Sequence, residues 1–192
     1  IICNIRIIFV FIKKGDVFMV NIVIFGSGNG SNAENIIKYF KEKEYAKVVL
    51  TVSNRADAYI LKRSIANGVD TYVHNIKDDK DESKLLDILR RYNAGLLVLA
   101  GYLAKVGFKL IEEYGGRIIN IHPALLPKYG GKGMYGDNVH RAVLDGGEKE
   151  SGITIHYVNE NYDEGEIIFQ ARYNVYESDT IETLSKRVHQ LE

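Results

Sequence analysis

Runs of valine, isoleucine and leucine without polar alternation recur along this chain, and no other feature of the sequence restricts its fold as strongly. They cover residues 21–25, 48–52, 96–100 and 118–121. A strand with one wet face alternates polar and apolar residues, so these runs predict strands buried on both faces. Apolar residues with helical spacing lie between them, as at Ala33, Ile36, Ile37 and Phe40. The alternation predicts a single-domain, three-layer α/β/α fold with a mostly parallel, Rossmann-like sheet that binds ligands at the carboxyl ends of its strands.

Two later segments, residues 152–158 and 166–176, are strand-like with few helical residues between them. They predict antiparallel strands near the C-terminal end of the sheet. A capping-box pattern from Asp179 to Glu182 then predicts a final helix. No capping glycine closes this helix before Glu192, so we expect a natural chain to continue beyond that residue.

Charge and size narrow the class of ligand. The chain has 192 residues, enough for one domain, and its 25 basic residues balance its 25 acidic residues. Without a basic field, nucleic acid and membrane surfaces are poor partners, and small-molecule substrates are favoured. The single cysteine, Cys3, is consistent with a reducing cytoplasm. Whether the protein is a monomer or a homodimer stays open.

The N-terminal segment differs from the rest of the chain. It is apolar as far as Ile12 and is followed by Lys13 and Lys14. Its positive charges lie mainly after the apolar stretch, and the stretch is too short to span a bilayer, so it does not fit a signal peptide or a membrane helix. We expect residues 1–18 to be a non-native or loosely attached extension of a domain that covers 19–192.

A glycine-rich turn follows the first strand and leads into the first helix, with the sequence Gly26-Ser-Gly-Asn-Gly-Ser-Asn-Ala-Glu34. Glycines let the backbone approach an anion, and the first amides of a helix favour negative charge, so the turn predicts a phosphate site. Ser31 and Glu34 have the spacing of a capping box. A tight turn that binds nothing is the plainer alternative.

Two nucleotide-binding motifs resemble this turn. A P-loop requires a lysine after its last glycine, and none follows Gly30. The dinucleotide fingerprint fits formally as Gly28-x-Gly30-x-x-Ala33, although no acidic residue ends the second strand. Arg55 stands there instead and could accept a 2′-phosphate, so an NADP-dependent reductase is the alternative function.

A second candidate site lies in the run with both prolines of the chain, Asn120-Ile-His-Pro-Ala-Leu-Leu-Pro127. Pro123 lacks a backbone donor and ends the preceding strand. Asn120 and His122 share one face of that strand because side chains alternate with period two. An Asp163 carboxylate beside His122 would raise the pKa of the imidazole and suit it to proton transfer. Asp163 and the two residues after it also fit an ordinary hairpin turn.

The other histidines carry less information. His156 has the character of a strand histidine whose hydrogen bonds are satisfied, and His74, His140 and His189 are scattered along the chain. No spacing of His and Cys supports a zinc site, so we expect no metal.

Four segments in order resemble the short, bacterial-type phosphoribosylglycinamide formyltransferases of purine synthesis. They are residues 21–32, 98–102, 120–127 and 151–165. The Asn-x-His-Pro and Asp segments are also similar to those of methionyl-tRNA formyltransferase and formyltetrahydrofolate deformylase, so the phosphate turn distinguishes among these families. The resemblance implies transfer of a formyl group from 10-formyltetrahydrofolate, as co-substrate, to the amino group of glycinamide ribonucleotide.

The resemblance also implies roles for individual residues. Asn120, His122 and Asp163 would be catalytic, with Asn120 also facing the folate. Substrate binding would fall to Gly30, Ser31, Asn32 and Glu192, and the pterin pocket would be lined by Leu103, Ala104, Lys105 and Val106. The glycine-rich stretch 129–138 is longer than in many family members, which predicts a flexible flap beside the folate site. Lys77 and Lys80 are both candidates for a basic residue that meets folate.

Overall fold

A computed structural model of the chain describes residues 19–80 and 82–191. The predicted N-terminal extension and the predicted ribose contact of Glu192 lie outside the described residues. The seven strands of this part are β1 Val20–Phe25, β2 Ala46–Ser53, β3 Asp70–Val73, β4 Ala94–Leu99, β5 Ile118–His122, β6 Glu150–Tyr157 and β7 Ile167–Asn174. The six helices are α1 Ser31–Phe40, α2 Tyr59–Ala66, α3 Ser83–Arg91, α4 Phe108–Tyr114, α5 Asp137–Asp145 and α6 Ile181–Leu191.

One seven-stranded sheet forms the middle layer, in the order β3-β2-β1-β4-β5-β6-β7. The first five strands along the chain are parallel to one another, and β6 is antiparallel to both β5 and β7. The predicted fold class, including the antiparallel strand near the C-terminal end, is therefore confirmed. The chain leaves β1 toward β2 and later returns to the other side of β1 as β4, so the strand order reverses at β1.

Strand β1 is buried on both faces, as its unbroken apolar run predicts. Ile22 and Ile24 belong to a core cluster with α1 and α2, whereas Val23 and Phe25 belong to a second cluster with α3 and α4. All four side chains are 0% exposed. Burial of each contributes about 1.5–3 kcal/mol, so the two cores fix the sheet between two helical layers.

Two predicted helix caps are wrong in detail. Ser31 is already the first residue of α1, and Gly30 before it supplies no side-chain cap. In α6 the reciprocal cap joins Thr180 and Thr183, with backbone-to-hydroxyl distances of 2.9 and 3.3 Å, instead of Asp179 and Glu182. The cap therefore lies one position later than predicted and uses the Thr183 amide, and Asp179 instead accepts hydrogen bonds from Thr183 Oγ1 and Arg187.

Candidate active site

The glycine-rich turn lies at the carboxyl end of β1, where the strand order reverses. Gly30 has φ +79°, a left-handed conformation that favours glycine. A Cβ at this position would also lie 2.5 Å from the Cβ of Ile60 in α2. The turn is therefore pressed against α2, and residues 28–32 line a large cavity on its other side.

Ser27 links this turn to the segment after β4. Its Oγ accepts a hydrogen bond from Leu103 N at 2.8 Å and donates one to Asn54 Oδ1 at 2.6 Å. Its backbone N–H donates to Gly101 O at 2.9 Å. Leu103 begins the predicted pterin-lining segment, so one buried serine fixes the relative position of the two predicted binding segments.

The end of β5 carries Asn120 and His122, and β5 ends at His122 as the following proline predicts. The His122 side chain is 3% exposed. His122 Nε2 donates a hydrogen bond to Tyr129 O at 2.8 Å, because a carbonyl oxygen can only accept. That bond uses Nε2, so Nδ1 is the ring nitrogen that faces Asp163.

Asp163 lies in the turn between β6 and β7 with φ +58°, so the predicted turn is present and its carboxylate also reaches the site. Asp163 Oδ1 is 3.5 Å from His122 Nδ1 and accepts a 3.3 Å hydrogen bond from Asn120 Nδ2. The other oxygen, Oδ2, accepts a 2.9 Å hydrogen bond from Gly131 N. The turn thus brings all three predicted catalytic side chains together.

His156 joins this group, although the sequence pattern gave it only a structural part. It pairs with Asn120 across β5 and β6, and its side chain is 2% exposed. Nδ1 donates to Tyr157 O at 2.7 Å, and Nε2 lies 3.1 Å from Asn120 Nδ2. Nε2 also lies 3.5 Å from Asp163 Oδ1. The strand register was the missing signal, because it sets His156 directly opposite Asn120.

The electrostatic environment keeps Asp163 ionised. Burial alone would raise the pKa of this carboxyl, but its hydrogen bond with His156, the charge of His122 and the Gly131 amide together lower the pKa below its usual value. A negative charge here stabilises a positive charge on the neighbouring imidazole of His122. The cluster can therefore hold a proton beside the cavity.

One cavity of about 580 Å³ connects these groups, a size that suits small-molecule ligands. Its lining includes the glycine turn, residues 103–106, the end of β5, the flap residues 131–137 and Asp163. His140 and His189 also line it, although the sequence gave no reason to place them there. Lys77 and Lys80 are not among the lining residues that the structure describes.

Lys105 carries a positive charge on the wall of the cavity that residues 103–106 form. It lines the cavity with its Nζ 5.7 Å from the centre of the Tyr162 ring.

Among the described residues, no group of three or more His, Cys, Asp or Glu side chains could hold a metal ion. No helix in the described ranges is long and apolar enough to cross a membrane.

Comparison with known proteins gives a consistent family. The model of the formyl transferase family matches residues 20–192. The chloroplastic phosphoribosylglycinamide formyltransferase of Arabidopsis thaliana is 42% identical over 173 residues, which cover 87% of this chain and 59% of that protein. The Bacillus subtilis phosphoribosylglycinamide formyltransferase is 37% identical over 179 residues, covering 91% and 89%. The chain thus spans less than two thirds of the plant relative and most of the bacterial one.

A solved structure agrees with these relatives. The phosphoribosylglycinamide formyltransferase of Coxiella burnetii superposes with a TM-score of 0.82 at 39% identity, covering 91% of this chain and 82% of that one. The similarity therefore extends through the sheet, the glycine turn and the strand-end cluster.

Proposed function

This chain belongs to the formyl transferase family, and we propose that it transfers the formyl group of 10-formyltetrahydrofolate to the amino group of phosphoribosylglycinamide in purine synthesis. The observation that carries the proposal is the single cavity that joins a phosphate-type turn to a buried Asn–His–Asp cluster. A phosphorylated amine held at the turn would extend its nucleophile toward that cluster. The reaction class is that of a one-carbon transferase.

The turn would bind the phosphate of the amine substrate. Gly30 allows close approach of the backbone, and Ser31 and Asn32 are the first residues of α1, where the helix dipole favours an anion. Glu192 would bind the ribose hydroxyls, as the family resemblance implies. Together these residues would orient the substrate amine.

The segment after β4 would bind the formyl donor. Val106 is 6% exposed and Leu103 is 49% exposed, so the segment runs from the core to an apolar rim that suits a flat ring. Ala104 and Lys105 complete this wall of the cavity. Asn120 stands between the two halves and would face the formyl group of the folate.

The proposed chemistry uses three side chains. The substrate amine attacks the formyl carbon, and the carbonyl oxygen becomes an oxyanion that Asn120 Nδ2 and protonated His122 Nδ1 stabilise. As the carbon–N10 bond breaks and the carbonyl forms again, His122 Nδ1 donates its proton to N10, and the same Nδ1 then takes up the proton that the attacking nitrogen releases, which restores the imidazolium. Asp163 keeps His122 charged and oriented. The 3.3 and 3.5 Å distances from Asp163 to Asn120 and His122 are long for hydrogen bonds, so both groups can turn toward an oxyanion.

The reductase alternative has weaker support. It needs Arg55 to bind a 2′-phosphate, but Arg55 already makes two hydrogen bonds to Asp57, at 3.2 and 2.9 Å. Asn54, at the same strand end, accepts a hydrogen bond from Ser27 Oγ.

A cytoplasmic location and a monomeric or homodimeric state remain parts of our proposal, with small molecules as the partners.

The deciding assay mixes the purified chain with 10-formyltetrahydrofolate and phosphoribosylglycinamide and follows folate absorbance. We expect turnover that requires both substrates and that is lost in His122→Ala. A parallel titration with NADPH should give no saturable change. Absence of turnover together with tight NADPH binding would replace the transferase proposal by the reductase alternative.

A further inference from the structure

Helix α2 supports the glycine turn from the side opposite the cavity. Ile60 N donates a 3.0 Å hydrogen bond to Gly28 O, and the Ile60 side chain packs against Gly30. None of the described lining residues of the cavity comes from α2. The helix therefore acts on the turn and has no contact with the space that a ligand would fill.

Arg63 extends this support from α2 to the next peptide of the turn. Its Nε donates to Asn29 O at 3.0 Å and to Asn29 Oδ1 at 3.1 Å, and its Nη2 donates to Asn29 Oδ1 at 2.8 Å. Its Nη1 pairs with the carboxylate of Glu34 on α1. One guanidinium thus connects α2, the turn and the helix that the turn opens.

These contacts determine which way the peptides of the turn face. The carbonyl oxygens of Gly28 and Asn29 both accept donors from α2. In a trans peptide the next N–H points in the opposite direction, so the amides of Asn29 and Gly30 are turned away from α2. An anion that approaches from the cavity side meets N–H groups and avoids carbonyl oxygens.

We propose that Arg63 is a positioning residue that holds the glycine turn so that its backbone amides bind the phosphate of the substrate; this rests on the proposed function. Arg63 is not itself the phosphate ligand, because three of its nitrogens already donate to Asn29 and Glu34. The planar guanidinium of Arg63 is needed for this role, since a lysine ammonium has the same charge but cannot contact Asn29 and Glu34 together in one plane.

The test compares Arg63→Lys and Arg63→Gln with the unchanged protein. In both variants we expect the KM for phosphoribosylglycinamide to rise about tenfold or more, because the anion site loses its ordered geometry. The KM for 10-formyltetrahydrofolate and kcat should stay within about twofold. Arg55→Lys is the matched control, because Arg55 makes the same forked contact with Asp57 and does not touch the turn.

Ribose 5-phosphate titrated by calorimetry separates this inference from the proposed function. If the unchanged protein binds ribose 5-phosphate but shows no formyl transfer, the proposed function fails while the weaker binding expected of Arg63→Lys still supports the positioning role. Equal affinity in the two proteins, a similar rise in both KM values, or no binding by the unchanged protein would overturn the inference. If Arg63→Lys does not fold, Asn29→Ala removes the side-chain contact from the turn, and the same loss is expected.

Discussion

The Asp163 carboxylate holds the site together, since its two oxygens together contact three different parts of the chain. Oδ1 faces His122, His156 and Asn120, and Oδ2 accepts the Gly131 amide at the start of the flap. A carboxylate that is ionised and nearly buried can orient two imidazoles through charge as well as through hydrogen bonds. Its charge, more than its shape, should therefore determine activity.

Asp163→Asn tests the charge, since it changes little else. We expect kcat to fall by roughly 10²–10⁴-fold, the usual size of proton-transfer and electrostatic contributions. Circular dichroism should show an unchanged fold. Glu164→Gln is the neighbouring control, because Glu164 is exposed and bonds only to Asn161 among the contacts found here. Turnover within a factor of two of the unchanged protein would rule out a catalytic part for the carboxylate.

At the level of single residues, the sequence predicts part of this site and misses the rest for a physical reason. Period-two alternation is local, so it places Asn120 and His122 on one face without further information. The approach of Asp163 and His156 depends on the register between β5 and β6 and on the turn after β6, which are long-range pairings. His140 and His189 reach the cavity through helix packing, which the sequence pattern does not encode.

Among the elements, α4 depends on a residue from another segment for its N-terminal cap. Glu82 is 7% exposed, and its two carboxylate oxygens accept hydrogen bonds from Gly107 N at 2.8 Å and Leu110 N at 3.2 Å. A Cβ at position 107 would lie 2.5 Å from Glu82 Cδ, so a larger residue there would displace the capping carboxylate. Burial and, to a smaller extent, the charge of Glu82 raise the pKa of Tyr102 to about 12. Helix α4 directly follows the proposed pterin wall, residues 103–106.

Glu82→Gln should therefore destabilise the protein. The amide keeps one acceptor oxygen and sets an N–H₂ donor against a helical N–H, so we expect a loss of about 1–3 kcal/mol in the free energy of unfolding. Urea denaturation at neutral pH measures it. Glu112→Gln, an exposed change within α4, should cost less than about 0.5 kcal/mol. Equal effects of the two changes would mean that the cap contributes nothing.

Asp179, at the N-terminus of α6, should make the stability of the fold depend on pH. Burial would raise the pKa of Asp179, but the Tyr176 amide, Arg187 and Thr183 together lower it below its usual value. A carboxyl group with a lowered pKa in the folded state stabilises the fold above its unfolded pKa, and this stabilisation is lost as the pH falls through the folded value. The difference in unfolding free energy between the unchanged protein and Asp179→Asn should therefore be constant from pH 7 to about 5 and shrink below about 4.

Urea denaturation at each pH measures that difference. The same series on Glu177→Gln serves as the control, since the Glu177 side chain is 95% exposed and only a 3.8 Å contact joins it to Lys149. A difference for Asp179→Asn that grows on acidification would contradict the assigned direction.

The elements themselves follow from the sequence where burial on two faces leaves a long apolar run, as in β1 and β4. Strand β3 is not apparent from the pattern, because it is a four-residue edge strand in which two residues are exposed and two are only partly buried. The predicted caps failed by one residue at α6, since neighbouring hydroxyl and carboxylate groups can satisfy the same amides. Local chemistry thus predicts that a helix begins there, and tertiary contacts select the capping residue.

On the scale of the whole molecule, the sheet gathers the ends of β1, β4 and β5 at one edge and so forms one cavity with two chemically different ends. The proposed phosphate end would depend on backbone geometry around Gly30, whereas the proposed proton-transfer end would depend on the charge of Asp163. If these ends are independent, a ligand that reaches only the turn should stabilise the fold regardless of the charge at the other end. Binding to the folded state alone at 100 times Kd adds about 2.7 kcal/mol.

Thermal unfolding with ribose 5-phosphate tests that independence. For a domain of this size, 2.7 kcal/mol corresponds to a rise in Tm of roughly 5–11 °C. The unchanged protein and Asp163→Asn should show the same rise in Tm at equal saturation, because the Asp163 carboxylate is not part of the glycine-rich turn. Gly30→Ala should show almost none, since its Cβ would be strained by φ +79° and would press on Ile60. A rise that disappears in Asp163→Asn would mean that the two ends are coupled, because the flap that Asp163 binds through Gly131 would then also control the phosphate end.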